Sequence, residues 1–373
     1  MENTVSQDFK ICEMNTFDSR FAGNIGPAFK VKGGFNRILV AGPCSAESEE
    51  QVLDVAHQLA AMGIGVLRAG LWKPRTHPGG FEGVGEKAIA WLQRAKAETG
   101  MLIATEVATP SHVSITLDAG FDVLWIGART TANPFAIQDI ADAIASHQRD
   151  DVTVLVKNPI SPDVELWVGA LQRLEGAGVR SLMAVHRGFK NTSTSVYRND
   201  PQWLIPMELK RRYPELPLIV DPSHIAGRRD LVEILCQQSL DMGFDGLMIE
   251  VHPHPDEALS DSAQQISPST LEKILQSLNV RSASAVGDQQ LAVLRSLIDH
   301  CDDEVFTALS RRMDIVRQIG QLKRETRMPI VQTDRFNQML KQRIEQAGDL
   351  HLSPEFISDI LQLIHQEAVT QQL

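Results

Sequence analysis

Short apolar runs rich in β-branched residues alternate with helix-like segments along most of the chain. Eight such runs lie at 38–41, 66–67, 102–107, 123–126, 152–156, 181–185, 216–220 and 246–251. Helix-like segments lie between them at 49–62, 85–98, 111–119, 134–146, 163–177 and 229–242, and the segment 267–278 follows the last run. Strands that read as continuous apolar runs are buried on both faces, so the alternation indicates a parallel sheet covered by helices. The count predicts a closed (β/α)8 barrel of the α/β class, and a doubly wound open sheet is the competing architecture.

Three further regions flank the predicted barrel of residues 37–278. Residues 1–36 are broken up by glycines and are interpreted as an N-terminal arm or a short hairpin. Residues 279–290 are small and polar without a period, which indicates a linker. Residues 291–373 carry apolar residues at helical spacing and predict a small all-α domain. Its helices, predicted at 291–324, 333–346 and 353–372, cannot easily bury their apolar faces alone, so we expect pairing with a second copy of the chain.

The bulk composition excludes several classes of protein. The 373 residues exceed what one compact core usually holds, and the net charge of −11 argues against binding nucleic acid. No apolar run is long enough to span a bilayer, and the charged first twenty residues lack a signal-peptide core. The four cysteines are far apart and form no disulfide-like or zinc-like pattern. The cytoplasm is therefore the expected compartment, and local clusters of basic residues suggest small anionic ligands.

Charged or metal-binding side chains follow nearly every predicted strand. They are Cys44, Arg68, Glu106, Arg129, Lys157, Arg187, His224 and Glu250. In a (β/α)8 barrel the active site lies at the C-terminal ends of the strands. A random chain would seldom place so many such residues there, so their concentration indicates a functional site.

Five basic residues from different strands converge on this predicted mouth. They are Arg68, Lys73, Arg129, Lys157 and Arg187, and the segment 67–78 is the densest part of the group. Like charges repel unless an anion bridges them, and a phosphorylated carboxylate would suit this set. Residues 83–88 fit the dinucleotide pattern G-x-G-x-x-A, but they follow a long loop instead of a strand, so that interpretation is rejected.

Four potential metal ligands also fall at or beyond strand ends. Cys44, His224, Glu250 and Asp261 offer a thiolate, an imidazole and two carboxylates. Mixed soft and hard ligands can hold a borderline divalent transition ion. Each residue also has a plainer interpretation, since a lone cysteine is usually a small buried apolar group.

The barrel region resembles the type I 3-deoxy-D-arabino-heptulosonate 7-phosphate synthases, the first enzymes of the shikimate pathway, over roughly residues 37–278. Five motifs carry the resemblance: Ala41-Gly42-Pro43-Cys44-Ser45, Lys73-Pro74-Arg75-Thr76, Ile126-Gly127-Ala128-Arg129, Asp221-Pro222-Ser223-His224, and Glu250-Val251-His252-Pro253 followed by Leu259-Ser260-Asp261. The related octulosonate 8-phosphate synthases share the barrel but lack Lys-Pro-Arg-Thr, so a four-carbon acceptor is favoured. Two departures, Lys157-Asn158-Pro159 and His186, spare the charged residues.

The resemblance implies a role for each matching residue. A divalent ion, preferably manganese, would be bound by Cys44, His224, Glu250 and Asp261. Phosphoenolpyruvate would be bound by Arg68, Lys73, the backbone N–H of Ala128, Arg129, Lys157 and Arg187. Erythrose 4-phosphate would be bound by Arg75, Thr76 and Asp221. The catalytic groups would be Lys73, Lys157, His224 and Glu106.

The helical tail resembles the all-α chorismate mutases over roughly residues 288–373. The charged pattern of that family falls on Arg295, Arg312, Lys323, Gln332, Arg335 and Gln372. Gln332 replaces the usual Asp, Phe336 a Glu and Ala368 a Ser, which weakens the expected contact to the ring hydroxyl of chorismate. The resemblance implies an intertwined homodimer in which Arg295 reaches the site of the partner.

Together the two resemblances imply a bifunctional enzyme that also converts chorismate to prephenate, with prephenate inhibiting the synthase. Two alternatives stay open at this point. The tail could be a non-catalytic module for dimerisation and product sensing, and the barrel could be a different phosphoenolpyruvate-using aldolase.

Overall fold

The computed structural model describes residues 29–30, 36–74, 79–149, 151–190, 195–279, 285–330 and 333–372. The chain divides into two compact units, Met1–Arg281 and Ser282–Leu373. In the described part of the chain, no helix is both long and apolar enough to cross a membrane.

The first unit is built on eight parallel strands that close into a barrel. They are β1 (Asn36–Gly42), β2 (Val66–Arg68), β3 (Leu102–Val107), β4 (Val123–Ile126), β5 (Thr153–Lys157), β6 (Ser181–His186), β7 (Leu218–Val220) and β8 (Gly246–Glu250). Each strand pairs with its neighbours in the chain, and β8 returns to pair with β1. The predicted closed barrel is confirmed, and the open sheet is excluded by the pairing of β1 with β8.

Helices connect the strands and surround the barrel. They are α1 (Glu49–Ala61), α2 (Ile89–Thr99), α3 (Pro110–Asp118), α4 (Ala128–Thr131), α5 (Pro134–Ser146), α6 (Val164–Gly176), α7 (Leu204–Arg212), α8 (Pro222–Ala226), α9 (Val232–Asp241) and α10 (Pro268–Ser277). The sequence analysis missed α7, whose Pro206 and three consecutive basic residues obscure its apolar face. It also missed α4 and α8, which are too short to show a helical period.

Side-chain caps set the starts of several helices directly after the loops at the mouth. The Ser48 hydroxyl accepts a hydrogen bond from the backbone N–H of Gln51 at the start of α1. Asn133 and Asp163 cap α5 and α6 in the same way. Each cap satisfies backbone donors that would otherwise lack a partner, so the chain turns from strand to helix within a short loop.

Two apolar layers stabilise the first unit. The inner layer fills the barrel with alternate residues of the strands, including Val40, Trp125, Leu155, Met183 and Met248. The larger outer layer lies between the barrel and its helices. Because the interior is filled by side chains, a ligand has room only above them, at the C-terminal ends of the strands.

The N-terminal region is described only in part. Phe29–Lys30 pairs antiparallel with the first residues of β1, as a short hairpin would. Residues 1–28 and 31–35 of the predicted arm lie outside the described residues. A second short antiparallel pair joins Phe189–Lys190 to Asn199–Asp200 in the connection between β6 and α7.

The second unit contains three helices, α11 (Ala285–Thr326), α12 (Thr333–Glu345) and α13 (Pro354–Thr370). The start of α11 corrects the predicted linker, because residues 285–290 are helical; residues 280–284 lie outside the described part. Residues 285–290 contain no proline, which would have ended a helix. The long helix therefore extends through them although they carry few large apolar side chains. Large apolar side chains on α11, among them Val305 and Phe306, are more than half exposed in a single copy.

Candidate active site

A cavity of about 620 Å³ opens at the C-terminal ends of the barrel strands. Its lining includes Cys44, Arg68, Lys73, Glu106, Ala128, Arg129, Lys157, Arg187, His224, Glu250 and Asp261, all of which were candidates from the sequence. Asp221 lies directly beside this cavity and is fully buried. Arg75 and Thr76 lie outside the described residues, although Pro74 and Gly79 on either side of that segment line the cavity.

Three predicted metal ligands cluster at one side of the cavity. Ligand atoms of Cys44, Glu250 and Asp261 all lie within 4.8 Å of one another. His224 stands next to this group, with Nε2 3.7 Å from a carboxylate oxygen of Glu250 and Nδ1 2.8 Å from a carboxylate oxygen of Asp221. A carboxylate beside one ring nitrogen is the usual way to direct the other nitrogen toward a metal. The donor set therefore fits a divalent transition ion.

Lys73 contacts this cluster directly. Its ammonium group lies against the Cys44 sulfur and donates a hydrogen bond to Asp261 Oδ2 at 2.7 Å. Burial alone lowers the pKa of Lys73, but the nearby Cys44, Glu250 and Asp261 raise it above its usual value, which keeps the side chain charged. Burial, reinforced by Glu250, raises the pKa of the Cys44 thiol to about 12. The thiolate is the form that binds a metal, so ligation by Cys44 is coupled to loss of the thiol proton.

Buried cations form the floor of the cavity. The Arg68 guanidinium donates to Glu250 Oε1 at 3.1 Å and lies 4.8 Å from the centre of the Trp125 ring. Its Nε and Nη1 atoms are buried and have no hydrogen-bond partner among the described residues. The Lys157 ammonium donates to Asp221 Oδ2 at 2.8 Å. Unpaired buried donors are costly, so the Arg68 donors point to an anionic ligand in the cavity.

Three further arginines line the cavity. Arg187 donates from its guanidinium to Asn199 Oδ1 at 2.8 Å, which fixes its orientation. Burial, reinforced by the nearby positive charges of Arg198 and Arg129, lowers the pKa of Arg187 to about 10. Arg187 remains charged at neutral pH, and a bound anion would relieve the repulsion among these three cations.

Glu106 lies at the end of β3, where the mouth meets the start of α4. Its Oε2 accepts a hydrogen bond from Trp125 Nε1 at 2.8 Å. Gly127 precedes Ala128 at the start of α4, and an added Cβ at Gly127 would lie 2.2 Å from Glu106 Oε1. The glycine is therefore required for the carboxylate to occupy this position.

The sequence analysis missed three residues that contact the cluster of metal-binding side chains. Arg198 lines the cavity, while Gln264 and Gln265 are buried behind it. All three lie in irregular segments, where no periodic pattern marks an inward-facing side chain. The proximity of both glutamines to Asp261 in the sequence was the only available signal.

In the helical unit, the candidate residues Arg312, Lys323 and Gln372 are largely withdrawn from solvent. The Lys323 ammonium donates to the carbonyl of Ile330 at 2.6 Å, and the Gln372 amide donates to the carbonyl of Ala368 at 3.0 Å. Gln372 Oε1 and Arg312 Nη1 are buried without a hydrogen-bond partner among the described residues. Both atoms are therefore available to a polar ligand.

The remaining candidates of the helical unit are less constrained. Arg295 and Arg335 are exposed in a single copy, and Gln332 lies outside the described residues. Phe336 stacks on His365 of α13 with ring centres 4.2 Å apart. An apolar contact thus occupies the position at which a carboxylate was expected from the resemblance.

Comparisons with known proteins agree with this division of the chain. The DAHP synthetase I family matches residues 24–284, and the chorismate mutase type II family matches residues 294–373. The chain is 32% identical over 258 residues to a phospho-2-dehydro-3-deoxyheptonate aldolase of Thermotoga maritima, covering 69% of this chain and 73% of that protein. It is 28% identical over 280 residues to a 2-dehydro-3-deoxyphosphooctonate aldolase of Desulfotalea psychrophila, covering 69% of this chain and 94% of that protein.

A solved structure shares the barrel. The crystal structure of phospho-2-dehydro-3-deoxyheptonate aldolase (DAHP synthase) from Thermotoga maritima superposes with a TM-score of 0.57 at 29% identity, covering 67% of this chain and 72% of that one.

Proposed function

The chain belongs to the DAHP synthetase I family and ends in a chorismate mutase type II domain, and we propose that the barrel mouth described above is the synthase active site. The barrel unit condenses phosphoenolpyruvate with erythrose 4-phosphate to 3-deoxy-D-arabino-heptulosonate 7-phosphate and phosphate. The helical unit converts chorismate to prephenate. The observation that carries the assignment of the site is the cluster of Cys44, Glu250 and Asp261 beside the unpaired donors of Arg68.

Cys44, His224, Glu250 and Asp261 are the proposed metal ligands. Type I DAHP synthases are generally metal-dependent, and the described residues contain a group that could hold an ion. A thiolate and an imidazole favour a transition ion, and the two carboxylates make manganese a suitable choice. When bound, the ion would act as a Lewis acid on the aldehyde oxygen of the acceptor.

The basic residues are proposed to bind phosphoenolpyruvate and orient its reacting carbon. Arg68, Lys73 and Lys157 would neutralise the carboxylate, since Arg68 and Lys157 are buried and the Lys73 side chain is only 15% exposed. Arg129 and Arg187, with the backbone N–H of Ala128, would hold the phosphate. Correct placement of two reactants can supply a large part of the rate enhancement.

The reaction then proceeds by one bond formation, one hydration and one elimination. C3 of phosphoenolpyruvate bonds to the aldehyde carbon, water adds at C2, and the bond between C2 and the phosphate oxygen breaks. The former aldehyde oxygen takes up a proton and becomes a hydroxyl, and Glu106 is proposed to receive one proton of the attacking water because its carboxylate lines the cavity. The other proton of that water is lost as C2 becomes a carbonyl and phosphate departs. His224, whose Nδ1 lies 2.8 Å from Asp221 Oδ2, is proposed to support the acceptor side of the site.

Arg75 and Thr76 are proposed to select the phosphorylated acceptor, with Asp221 near its hydroxyl groups. The support is that Pro74 and Gly79, on either side of this segment, line the cavity. We expect Arg75→Ala to raise the KM for erythrose 4-phosphate by about 10- to 100-fold, because one charge-assisted contact is lost. The KM for phosphoenolpyruvate should change little, and Arg94→Ala, an exposed arginine of α2, serves as the control. Steady-state kinetics with both substrates varied measure this, and equal rises in the two KM values would contradict the assignment.

In the helical unit, Arg312 and Arg295 are proposed to clamp the two carboxylates of chorismate in its compact conformer. Lys323 would stabilise the charge that develops on the ether oxygen, and Gln332, Arg335 and Gln372 would complete the site. Arg295 is exposed in one copy, as expected if it contributes to the site of a second copy. The exposed apolar residues of α11, among them Val305 and Phe306, support a homodimer through this unit.

A second candidate role for the helical unit is product sensing without catalysis. The stacking of Phe336 on His365 favours it, because the Phe336 ring cannot accept a hydrogen bond as a carboxylate at this position would. Assay of the mutase reaction separates the two roles, because a catalytic unit converts chorismate to prephenate and a unit that only senses product does not.

We further propose that prephenate, the product of the helical unit, inhibits the synthase. The synthase acts at the start of the pathway and the mutase at a later branch, so joining the two places a product-binding site on the entry enzyme. A ligand can alter the synthase rate only if it binds two arrangements of the chain with different affinity.

Prephenate is expected to lower the synthase rate of the full chain, and Arg312→Ala should remove this inhibition together with mutase activity. Arg311→Ala, at the adjacent exposed position of α11, should retain both properties. Initial synthase rates at increasing prephenate concentrations measure the inhibition. Small-angle scattering should also record a smaller radius of gyration of the full chain when prephenate is added. A synthase rate that ignores prephenate at concentrations saturating the mutase site would rule out the coupling.

A further inference from the structure

Two adjacent glutamines lie buried behind the cluster of Cys44, Glu250 and Asp261. Gln264 is 1% exposed and Gln265 is fully buried. Neither lines the cavity, and neither belongs to the proposed metal ligands. Each nevertheless makes hydrogen bonds that connect those ligands to one another.

Gln264 joins a carboxylate of the cluster to an arginine of the cavity wall. Its Nε2 donates to Glu250 Oε2 at 2.6 Å, and its Oε1 accepts from the Arg198 guanidinium at 2.8 Å. A carboxylate has no hydrogen to donate and a guanidinium has no acceptor, so these two partners determine the orientation of the amide. Glu250 Oε1 is bound by Arg68 on the other side, so both oxygens of this carboxylate are held.

Arg198 continues the connection to the second carboxylate. Its guanidinium lies 3.4 Å from Asp261 Oδ1, while its backbone N–H donates to the carbonyl of Ala226 at 3.2 Å. Gly227 makes room for it, since an added Cβ at Gly227 would lie 2.3 Å from the Arg198 Cβ. Glu250 and Asp261 are therefore linked through Gln264 and Arg198.

Gln265 anchors the thiol ligand. Its Oε1 accepts from the backbone N–H of Cys44 at 3.0 Å, and its Nε2 donates to the carbonyl of Ser260 at 2.7 Å. These bonds connect the loop after β1 to the residue that precedes Asp261. Asp261 itself has a φ of +46°, a conformation that is uncommon for residues other than glycine and that needs support from its surroundings.

We propose that Gln264 is a positioning residue for the metal centre, holding the Glu250 carboxylate in the rotation needed for ligation and coupling it through Arg198 to Asp261. The inference rests on the proposed metal ligands. A ligand held in place before binding loses less conformational freedom when the ion arrives, and loss of such an outer contact typically weakens metal affinity by about 10- to 100-fold. Gln264 touches neither substrate nor metal in this role.

The test is the Mn²⁺ affinity of the full chain, measured by competition with a chromogenic chelator. Gln264→Leu should weaken binding by about 10- to 100-fold, because the donor to Glu250 is lost. Gln264→Glu keeps the shape and the acceptor for Arg198 but repels Glu250, so it should weaken binding as well. Thr153→Val is the matched control, since it removes a buried hydrogen bond to Ser181 at the opposite end of the barrel. Its affinity should equal that of the parent chain.

The melting temperature of the metal-free protein separates positioning from folding. Affinities are compared at a temperature at which the melting curve of each metal-free variant shows it to be folded, so that a loss of affinity reports positioning and not unfolding. Unchanged affinity in Gln264→Glu would overturn the proposal, even if Gln264→Leu fails to fold. Cys44→Ala tests the underlying assignment separately. If Cys44→Ala still binds Mn²⁺ as the parent does, the metal centre itself is wrong; if only the Gln264 variants bind normally, the positioning role alone is wrong.

Discussion

Cys44→Ala is expected to lower the rate of heptulosonate phosphate formation by about 10³-fold while mutase activity changes by less than about twofold. The Cys44 sulfur is the only soft donor in a group whose ligand atoms lie within 4.8 Å, among the residues that the structure describes. Its removal leaves carboxylates and an imidazole, which bind a transition ion less tightly. The Lewis acid for the aldehyde would then be missing from most molecules. Steady-state assays of both reactions on the same preparation measure the effect.

Cys236→Ala provides the matched control for this variant. Cys236 is also fully buried, but it lies on α9, away from the mouth, and burial raises the pKa of its thiol as well. Both variants remove one buried thiol, so any common effect reflects packing alone. Full synthase activity in Cys44→Ala, or equal losses in the two variants, would contradict a role of Cys44 in metal binding.

Arg312→Ala is expected to lower mutase activity by about 10²- to 10³-fold and to leave the synthase rate without prephenate unchanged. Its Nη1 is buried without a partner among the described residues, so the substrate carboxylate would be its main counter-charge. Arg311→Ala is the control, since this neighbouring side chain is exposed. If the parent chain has no mutase activity, the product-sensing role is favoured instead. If it is active and Arg312→Ala retains that activity, the proposed clamp is wrong.

Arg312→Ala, combined with Arg295→Ala, tests whether two copies of the chain contribute to one site. In a mixed dimer of Arg295→Ala and Arg312→Ala chains, one of the two sites would contain both native arginines. Random mixing should therefore restore about a quarter of the mutase activity of the parent protein. No recovery in mixed dimers verified by mass spectrometry would contradict the proposal that Arg295 acts in the site of the partner.

The barrel was predictable because its physical signals are local. Each strand is buried on both faces, so its sequence is continuously apolar. In the segments between the strands, apolar residues recur at helical spacing. The start of α11 was not predictable in this way. Residues 285–290 are small or polar apart from Val286 and carry no apolar stripe, and they are helical as the first turns of a much longer helix.

The candidate site was predictable to the extent that the topology defines it. Parallel strands in a barrel bring their C-terminal ends together, so Cys44, Arg68 and Glu250 could be grouped before any contact was known. Gln264 and Arg198 could not, because their importance lies in a hydrogen bond between positions 66 residues apart in irregular segments. The stacking of Phe336 on His365 likewise depends on how α12 and α13 pack.

The most direct test of the two-site account is an assay of both reactions on one preparation of the full chain, before and after treatment with a metal chelator. The account predicts that chelation abolishes heptulosonate phosphate formation, that added Mn²⁺ restores it, and that conversion of chorismate to prephenate continues unchanged throughout, since a unimolecular rearrangement needs no metal. A synthase that keeps full activity in the metal-depleted protein, with depletion verified by elemental analysis, would contradict it.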